Sequence, residues 1–409
     1  MNQEVRVTET APVQYQPLSG LKVIDFTQVM LGPCCTQVLA DYGADVIKIE
    51  RPGMGDLSRT WISDDPERLT NPIFRSLNRN KRSISLDLRQ PDGKAVVYEL
   101  IKTADIVVSN FRAGVIERMG FGHEQLARIN ERIITASGTG FGTVGPLAHK
   151  GGQDILAQAL SGTMSRRSDT SVPLSIYPTA VADYTAGMHL VQAILLAVIQ
   201  RHTTGRGQAV SVSLFESMLN LQIQEAAMLL QRGADLNWAA FPLTGVFETT
   251  DGAIVLVGAF KTNPLQDICR ALDLPDLSAE TKYKTFSDQL ARRPDLQSKF
   301  KERFASNTTE HWLLRLEEQD LLCAPVLSLA EALAHEQTKA NKALVGEQGM
   351  QTLGSPLTMS DGGFAFRHAA PKLGQDARVV LKEAGFSQDK IGDLITRGII
   401  KDVSDGVSL

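Results

Sequence analysis

Short apolar, β-branched runs alternate with helix-like stretches through roughly the first two hundred residues. No other feature constrains the fold as much. Residues 21–27 (LKVIDFT), 45–50 (DVIKIE), 82–88 (RSISLDL), 106–109 and 133–137 read as strands. Residues 33–42, 92–103, 115–119 and 124–129 carry helical spacing between them. The first of these helices ends at Gly43, a suitable residue just past a helix, and the second follows Pro91. Strands spaced by helices predict an α/β fold with an open, largely parallel, Rossmann-like sheet.

The pattern changes after Gly205-Arg-Gly207. A strand over 209–213 runs into a long predicted helix over 214–232. A hairpin over 244–258 turns at Asp251-Gly252, and helical segments fill 262–340. A chain of 409 residues is long enough for two domains. The reading places the first part of a large domain at 18–224, a small domain at 225–335, and a return segment at 336–409 that completes the large domain. Residues 1–17 read as a loose tail without the pattern of a signal peptide.

Net charge is −4, so no global basic field favours nucleic acid. The long apolar run, 190–199, is interrupted by Gln192 and too short to span a bilayer, which predicts a buried helix. The 4 cysteines (Cys34, Cys35, Cys269 and Cys323) form no CxxC pair, and the 7 histidines show no metal-ligand spacing. No metal is expected. A reducing compartment, cytoplasm or an organelle matrix, fits these thiols.

One carboxylate stands out. Asp183 lies between the proline-punctuated stretch 171–178 and the apolar run, at or near a predicted helix start. Ala182, Thr185, Ala186 and Gly187 around it are small. Two readings stay open: an N-cap accepting a backbone N–H, or an ionised nucleophile that small neighbours expose to substrate. His189 reads as a packing residue. Gly140-Phe-Gly142-Thr-Val-Gly145 matches GxGxxG, but Pro146 comes at once and no ribose-binding acid stands at the usual remove. The reading is a loop at a strand's carboxyl edge, where α/β sheets bind ligands. Arg51, Arg59, Arg75, Arg79, Lys81 and Arg82 together offer cations for a phosphorylated adenosine group. No GxSxG, P-loop or HExxH occurs.

Several segments, in order, resemble the family III CoA-transferases, the CaiB/BaiF family. They are Leu21-Lys-Val-Ile-Asp-Phe-Thr27 with Gly32-Pro33, Gly43-Ala-Asp-Val-Ile-Lys-Ile-Glu-Arg-Pro-Gly53 and Asn78-Arg-Asn-Lys-Arg-Ser-Ile-Ser-Leu-Asp87. Asn110-Phe-Arg-Ala-Gly114 with Met119-Gly120, Gly140 to Pro146 and Thr203-Thr-Gly-Arg-Gly-Gln208 complete the set. The resemblance spans about 18–400. It implies a large Rossmann-like domain made from both chain ends, a small domain between, and an interlocked homodimer. In members such as formyl-CoA transferase one aspartate is the nucleophile, and its segment matches Ala182-Asp183 with Gly187-Met-His-Leu190. The implied chemistry runs through an aspartyl-acyl anhydride and an aspartyl-CoA thioester, with an acyl-CoA and a small carboxylic acid as substrates and no permanently bound cofactor. A helix N-terminus would keep the carboxylate ionised. The implied CoA contacts are Met30, Leu31, Arg51, Leu77, Asn80, Asn110, Phe111, Arg118 and Met119.

Departures shape the substrate expectation. Formyl-CoA:oxalate enzymes carry a glycine run where this chain has Asn237-Trp-Ala-Ala-Phe-Pro-Leu243, and a glutamine where it has Met30. The overall pattern is nearer to succinyl-CoA-dependent enzymes acting on small dicarboxylates. Arg166 and Arg167, and after them Lys261, are candidates for a second acceptor carboxylate. Two alternatives remain. A 2-methylacyl-CoA racemase on the same fold needs a histidine where this chain has Gln153, in Gly152-Gln-Asp154, and glutamine cannot shuttle a proton. A non-catalytic acyl-CoA-binding protein is the other.

Overall fold

A computed structural model describes residues 16–61, 71–169, 171–346 and 350–401. The expected tail lies outside them except for Gln16 and Pro17. Gln16 is buried, and its amide donates to the Asp41 and Gly363 carbonyls at 3.2 and 3.3 Å. The chain divides into two compact units. One holds the residues up to Thr163, Ile176–Leu221 and those from Lys339 on; the other holds Met164–Ser175 and Gln222–Thr338.

The larger unit is mixed α/β. It begins β1 (Lys22–Asp25), α1 (Leu31–Asp41), β2 (Asp45–Glu50), α2 (Pro72–Ser76), β3 (Lys81–Leu86), α3 (Pro91–Ile101), β4 (Ile106–Ser109). It continues α4 (Val115–Arg118), α5 (His123–Ile129), β5 (Ile134–Thr139), α6 (Asp154–Leu160), α7 (Val181–Thr204), β6 (Ala209–Ser213) and α8 (Leu214–Leu221). The strands run β3-β2-β1-β4-β5-β6, every neighbour parallel. Strand order reverses at β1, which pairs with β2 on one side and β4 on the other. The loops leaving the carboxyl ends of β1 and β4 therefore diverge and open a crevice, the usual ligand position in such sheets.

The predicted long helix is two: α8 ends with its unit at Leu221, and α9 (Ile223–Arg232) starts afresh after Gln222 in the smaller unit. β7 (Thr244–Glu248) and β8 (Ala253–Val257) form the expected antiparallel hairpin. After α10 (Pro264–Ala271), α11 (Phe286–Ala291), α12 (Arg293–Phe304) and α13 (Thr309–Glu317), β9 (Leu322–Pro325) adds a third strand beside β8. Composition hid it, since the strand is short and ends in proline. Leu256, Phe300, Phe304 and Trp312 are buried at the centre of this unit's core. Helices α14 (Leu329–Ala334) and α15 (Glu336–Ala340) come next.

The last segment pairs β10 (Leu344–Val345) with β11 (Thr352–Leu353), then forms α16 (Ala377–Glu383) and α17 (Gln388–Thr396). It closes with β12 (Ile400–Lys401), which adds to β3 antiparallel and makes the sheet seven-stranded. Both sheet faces are covered, as parallel strands require. Ile24, Ile47, Ile84 and Val107 pack on one face with Val380 and Leu394. Val23, Val46, Val108 and Ala136 pack on the other with Leu39, Ala186, Leu190 and Ile194. Helix α7 is 24 residues long, longer than the apolar run suggested, and long and apolar enough to cross a membrane. Ala182, Ala186, Leu190, Ile194 and Ala197 form its buried stripe.

Candidate active site

The crevice is built from backbone. After β1 the chain runs through Thr27, Gln28, Val29 and Met30 into α1, whose first residue is Leu31. Asn110, just past β4, ties the two diverging loops: its side chain accepts the Gln28 N–H at 2.9 Å and donates to the Gln28 carbonyl at 2.7 Å.

Helix α7 crosses α1 closely at Gly187, where a Cβ would stand 2.8 Å from the Leu31 carbonyl oxygen and 3.0 Å from the Cys34 Cβ. Ala182 and Ala186 are fully buried. Gly187, Ala182 and Ala186 thus serve the packing of α7, Gly187 by admitting α1. Helix α7 starts at Val181, so Asp183 is its third residue and not its N-cap; Ala180 holds that position and supplies no side-chain bond. The capping acceptor comes from elsewhere in the chain. Asp154 Oδ2 takes the N–H of Ala182 at 2.7 Å and of Asp183 at 3.0 Å. Gln158 fixes Asp154 by donating to its other oxygen at 2.6 Å.

Relieved of capping, the Asp183 carboxylate faces the N-terminus of α1, whose Leu31 N–H acts to lower its pKa. It makes no ion pair among the described residues. Burial, then the Asp154 charge, push its pKa up from 3.8 to about 6, and the Leu31 N–H offsets only part of that. The carboxyl therefore sits above its ordinary value although it lies in the first turn of a helix. At neutral pH it is ionised, weakly solvated and close to an N–H donor, which suits a nucleophile.

The glycine loop lies at the same end of the sheet. A Cβ on Gly138 would overlap the Leu31 side chain, and one on Gly140 would stand 2.4 Å from the Gly152 Cα. No helix opens within the loop; α6 begins only after Gln153, whose side chain makes no cap bond. His189 pairs its Nδ1 with Ser217 Oγ at 3.0 Å, in keeping with a packing role.

The expected CoA contacts separate into two groups. Met30, Leu31, Asn110 and Phe111 lie at the crevice, Arg51 comes just past the carboxyl end of β2, and Arg118 and Met119 close the short α4 after β4. Leu77 and Asn80 precede β3, so the parallel pairing of Lys81 with Val46 places them at the amino ends of the strands. Asn80 is engaged there, donating to Asp41 Oδ1 at 2.8 Å and the Ala365 carbonyl at 2.7 Å and accepting the Arg367 N–H at 2.7 Å. These two do not join the other contacts. At the carboxyl end of β3 stands instead an exposed cation that sequence reasoning missed, Arg89, bridged to Asp87. The basic cluster also dissolves: Arg59 pairs with Glu50, Arg79 with Asp41, Lys81 with Asp25, and Arg82 with Asp45 and Glu383. Arg166 bonds Asp235 and the Leu236 carbonyl, Arg167 the Val172 carbonyl, and Lys261 the Gln319 carbonyl, all within the smaller unit.

The model of CoA-transferase family III matches residues 18–377. The chain belongs to this family. As a family III CoA-transferase it acts on CoA thioesters and carboxylic acids. It is 34% identical over 413 residues to a formyl-CoA:oxalate CoA-transferase of Shigella boydii, covering 92% of this chain and 97% of the relative. It is 32% identical over 402 residues to the succinyl-CoA:glutarate CoA-transferase of Mus musculus, covering 94% and 91%. The crystal structure of a CaiB/BaiF family protein from Brucella suis superposes with a TM-score of 0.82 at 30% identity, covering 91% of this chain and all of that one.

Proposed function

We propose that this CoA-transferase works through covalent intermediates on Asp183. A carboxylate oxygen of Asp183 attacks the thioester carbon of the donor, the C–S bond breaks, and CoA leaves as thiolate with a mixed anhydride behind it. The thiolate attacks the aspartyl carbon, expels the donor acid as carboxylate and leaves an aspartyl-CoA thioester. The acceptor carboxylate reverses these steps, so no proton is needed overall. The observation that carries this reading is the Asp183 carboxylate, raised to about 6, free of any ion pair among the described residues and set against the α1 N-terminus. The Leu31 N–H is placed to stabilise negative charge developing at the reacting carbonyl. Tight helix crossing at Gly187 and buried Ala182 and Ala186 support exclusion of water from the intermediates.

For the CoA moiety, the reading keeps Met30, Leu31, Arg51, Asn110, Phe111, Arg118 and Met119 and adds Arg89 as a phosphate-facing cation. For the acyl groups, succinyl-CoA and a small dicarboxylate are proposed, on the likeness to the mouse succinyl-CoA:glutarate enzyme and on Met30 and the 237–243 departure. A homodimer is proposed too: Leu196 and Ile199 on α7 and Leu219 and Leu221 on α8 are exposed by 43–67%, an apolar area that a partner would cover. Four free thiols suit the cytoplasm or an organelle matrix.

Trapping tests the mechanism. After incubation with succinyl-CoA, hydroxylamine or borohydride is expected to modify a single peptide, at Asp183. Turnover with modification elsewhere, or with none, would refute the covalent route.

A further inference from the structure

The loop between β1 and α1 is held from three sides. Lys48 Nζ donates to the Thr27 carbonyl at 2.7 Å, Asn110 pairs with both backbone groups of Gln28, and Asp56 Oδ1 accepts the Val29 N–H at 3.1 Å. Lys48 and Asp56 also pair with each other at 2.9 Å, and both side chains are fully buried. Asp56 is itself fixed: Oδ1 takes Ser58 N–H and Oγ at 2.9 and 2.7 Å, and its own N–H donates to Glu50 Oε2 at 2.9 Å. A buried ion pair adds little net stability, so its use is more often to fix one conformation.

The conformation in question is unusual. Val29 has φ 69°, the left-handed region that a β-branched residue rarely enters. Such a residue persists there only when its surroundings over-determine it. The turn sets where α1 starts: the helix begins two residues after Val29, and its first residue, Leu31, packs on α7 at Gly187, one turn after Asp183.

We propose that the buried Lys48–Asp56 pair is a positioning device for transfer: it holds Val29 left-handed, and so keeps the N-terminus of α1 beside Asp183. The proposal rests on the aspartyl reading under Proposed function. Lys48 and Asp56 touch no reacting atom and act through Val29. The titratable groups facing Asp183 are Asp154 from α6 and Cys34 from α1.

The test uses the full chain with succinyl-CoA and glutarate, and reads kcat, KM and the acid limb of the pH profile. Asp56→Ala removes the Val29 acceptor. It is expected to lower kcat/KM by on the order of 100-fold, the scale of small misplacements, and to move the acid limb to higher pH because the Leu31 N–H that lowers the Asp183 pKa moves away. Val29→Gly in the same background adopts the left-handed turn without strain. It is expected to recover at least about a tenth of the lost activity on that scale and to return the limb. A folded Asp56→Ala protein with an unmoved limb, or with a loss that glycine does not rescue, overturns the device. Amide exchange in the wild-type protein gives a measurement that needs no folded variant: slow exchange at Val29, whose N–H Asp56 accepts, is expected, and exchange at the rate of an unstructured chain overturns it. Labelling of wild-type Asp183 is scored in the same samples. No label there refutes the aspartyl reading; label there with an unmoved limb and no rescue refutes only the positioning device.

Discussion

Asp154 accepts the backbone N–H of Asp183 at 3.0 Å while its charge raises the Asp183 pKa. One carboxylate thus caps the helix that carries the other and leaves the second carboxylate outside the capping bonds. The two are 29 residues apart in sequence. This division of duties matters because Asp183 cannot both cap α7 and present its oxygens to a thioester.

Asp183→Ala is expected to remove transfer while circular dichroism and the melting transition stay cooperative. Activity within about tenfold of wild type, roughly 1.4 kcal/mol of barrier, would rule out the nucleophile.

Asp183→Asn is expected to stabilise the protein at neutral pH. The folded pKa of about 6 lies above the ordinary 3.8, so the group favours folding only when neutral. That contribution is full below 3.8 and lost as pH rises through 6. The gain from asparagine is therefore on the order of 1–2 kcal/mol at pH 7 to 8 after allowing for partial solvent screening, and vanishes near pH 3.5. Denaturant melts across that range check both size and sign; a gain that persists at low pH contradicts the assignment.

Asp154→Asn keeps an acceptor for the cap but removes a charge. The acid limb of kcat/KM is expected to shift to lower pH, with a stability loss of about 1 kcal/mol from the weaker cap. A limb that moves up instead would mean that Asp154 does not act on Asp183 by its charge.

Gly187→Ala tests the helix crossing. The added Cβ meets the Leu31 carbonyl at 2.8 Å, which must shift backbone. A loss of about 1–3 kcal/mol is expected, together with lower kcat because Asp183 and the Leu31 N–H move apart. A variant with full stability and kcat would show that the crossing is looser than described.

Arg51→Met probes phosphate recognition. KM for acyl-CoA is expected to rise about tenfold, the value of one charge-assisted contact, while a pantetheine thioester lacking the adenosine phosphates reacts as with wild type. Equal effects on both thioesters would remove Arg51 from phosphate binding.

Much of the architecture is local and is legible in the residues. Strands β2 (Asp45–Glu50) and β4 (Ile106–Ser109) arise from β-branched runs between helix stops, and the 244–258 hairpin from its Asp251-Gly252 turn, because hydrophobic period and turn chemistry act over a few residues. Asp183 is visible as a lone carboxylate before an apolar helix. Its role is not, because the choice between cap and nucleophile depends on Asp154 and Leu31, which reach it only through the crossing of α6, α7 and α1. The small residues beside it likewise mark a helix contact that no local pattern distinguishes from a substrate gap. The family resemblance implied Leu77 and Asn80 as CoA contacts; the parallel register of β3 against β2 puts them at the amino ends of the strands, away from the crevice. Composition counts Arg59, Arg79, Lys81 and Arg82 as free cations, whereas folding buries or pairs each of them, since a charge taken out of water must find a partner. The sequence by itself determined the elements and singled out the candidate reactive group, which depend on neighbours along the chain. Protonation, orientation and the partner of every buried charge depend on neighbours in space, and only the tertiary structure decided them.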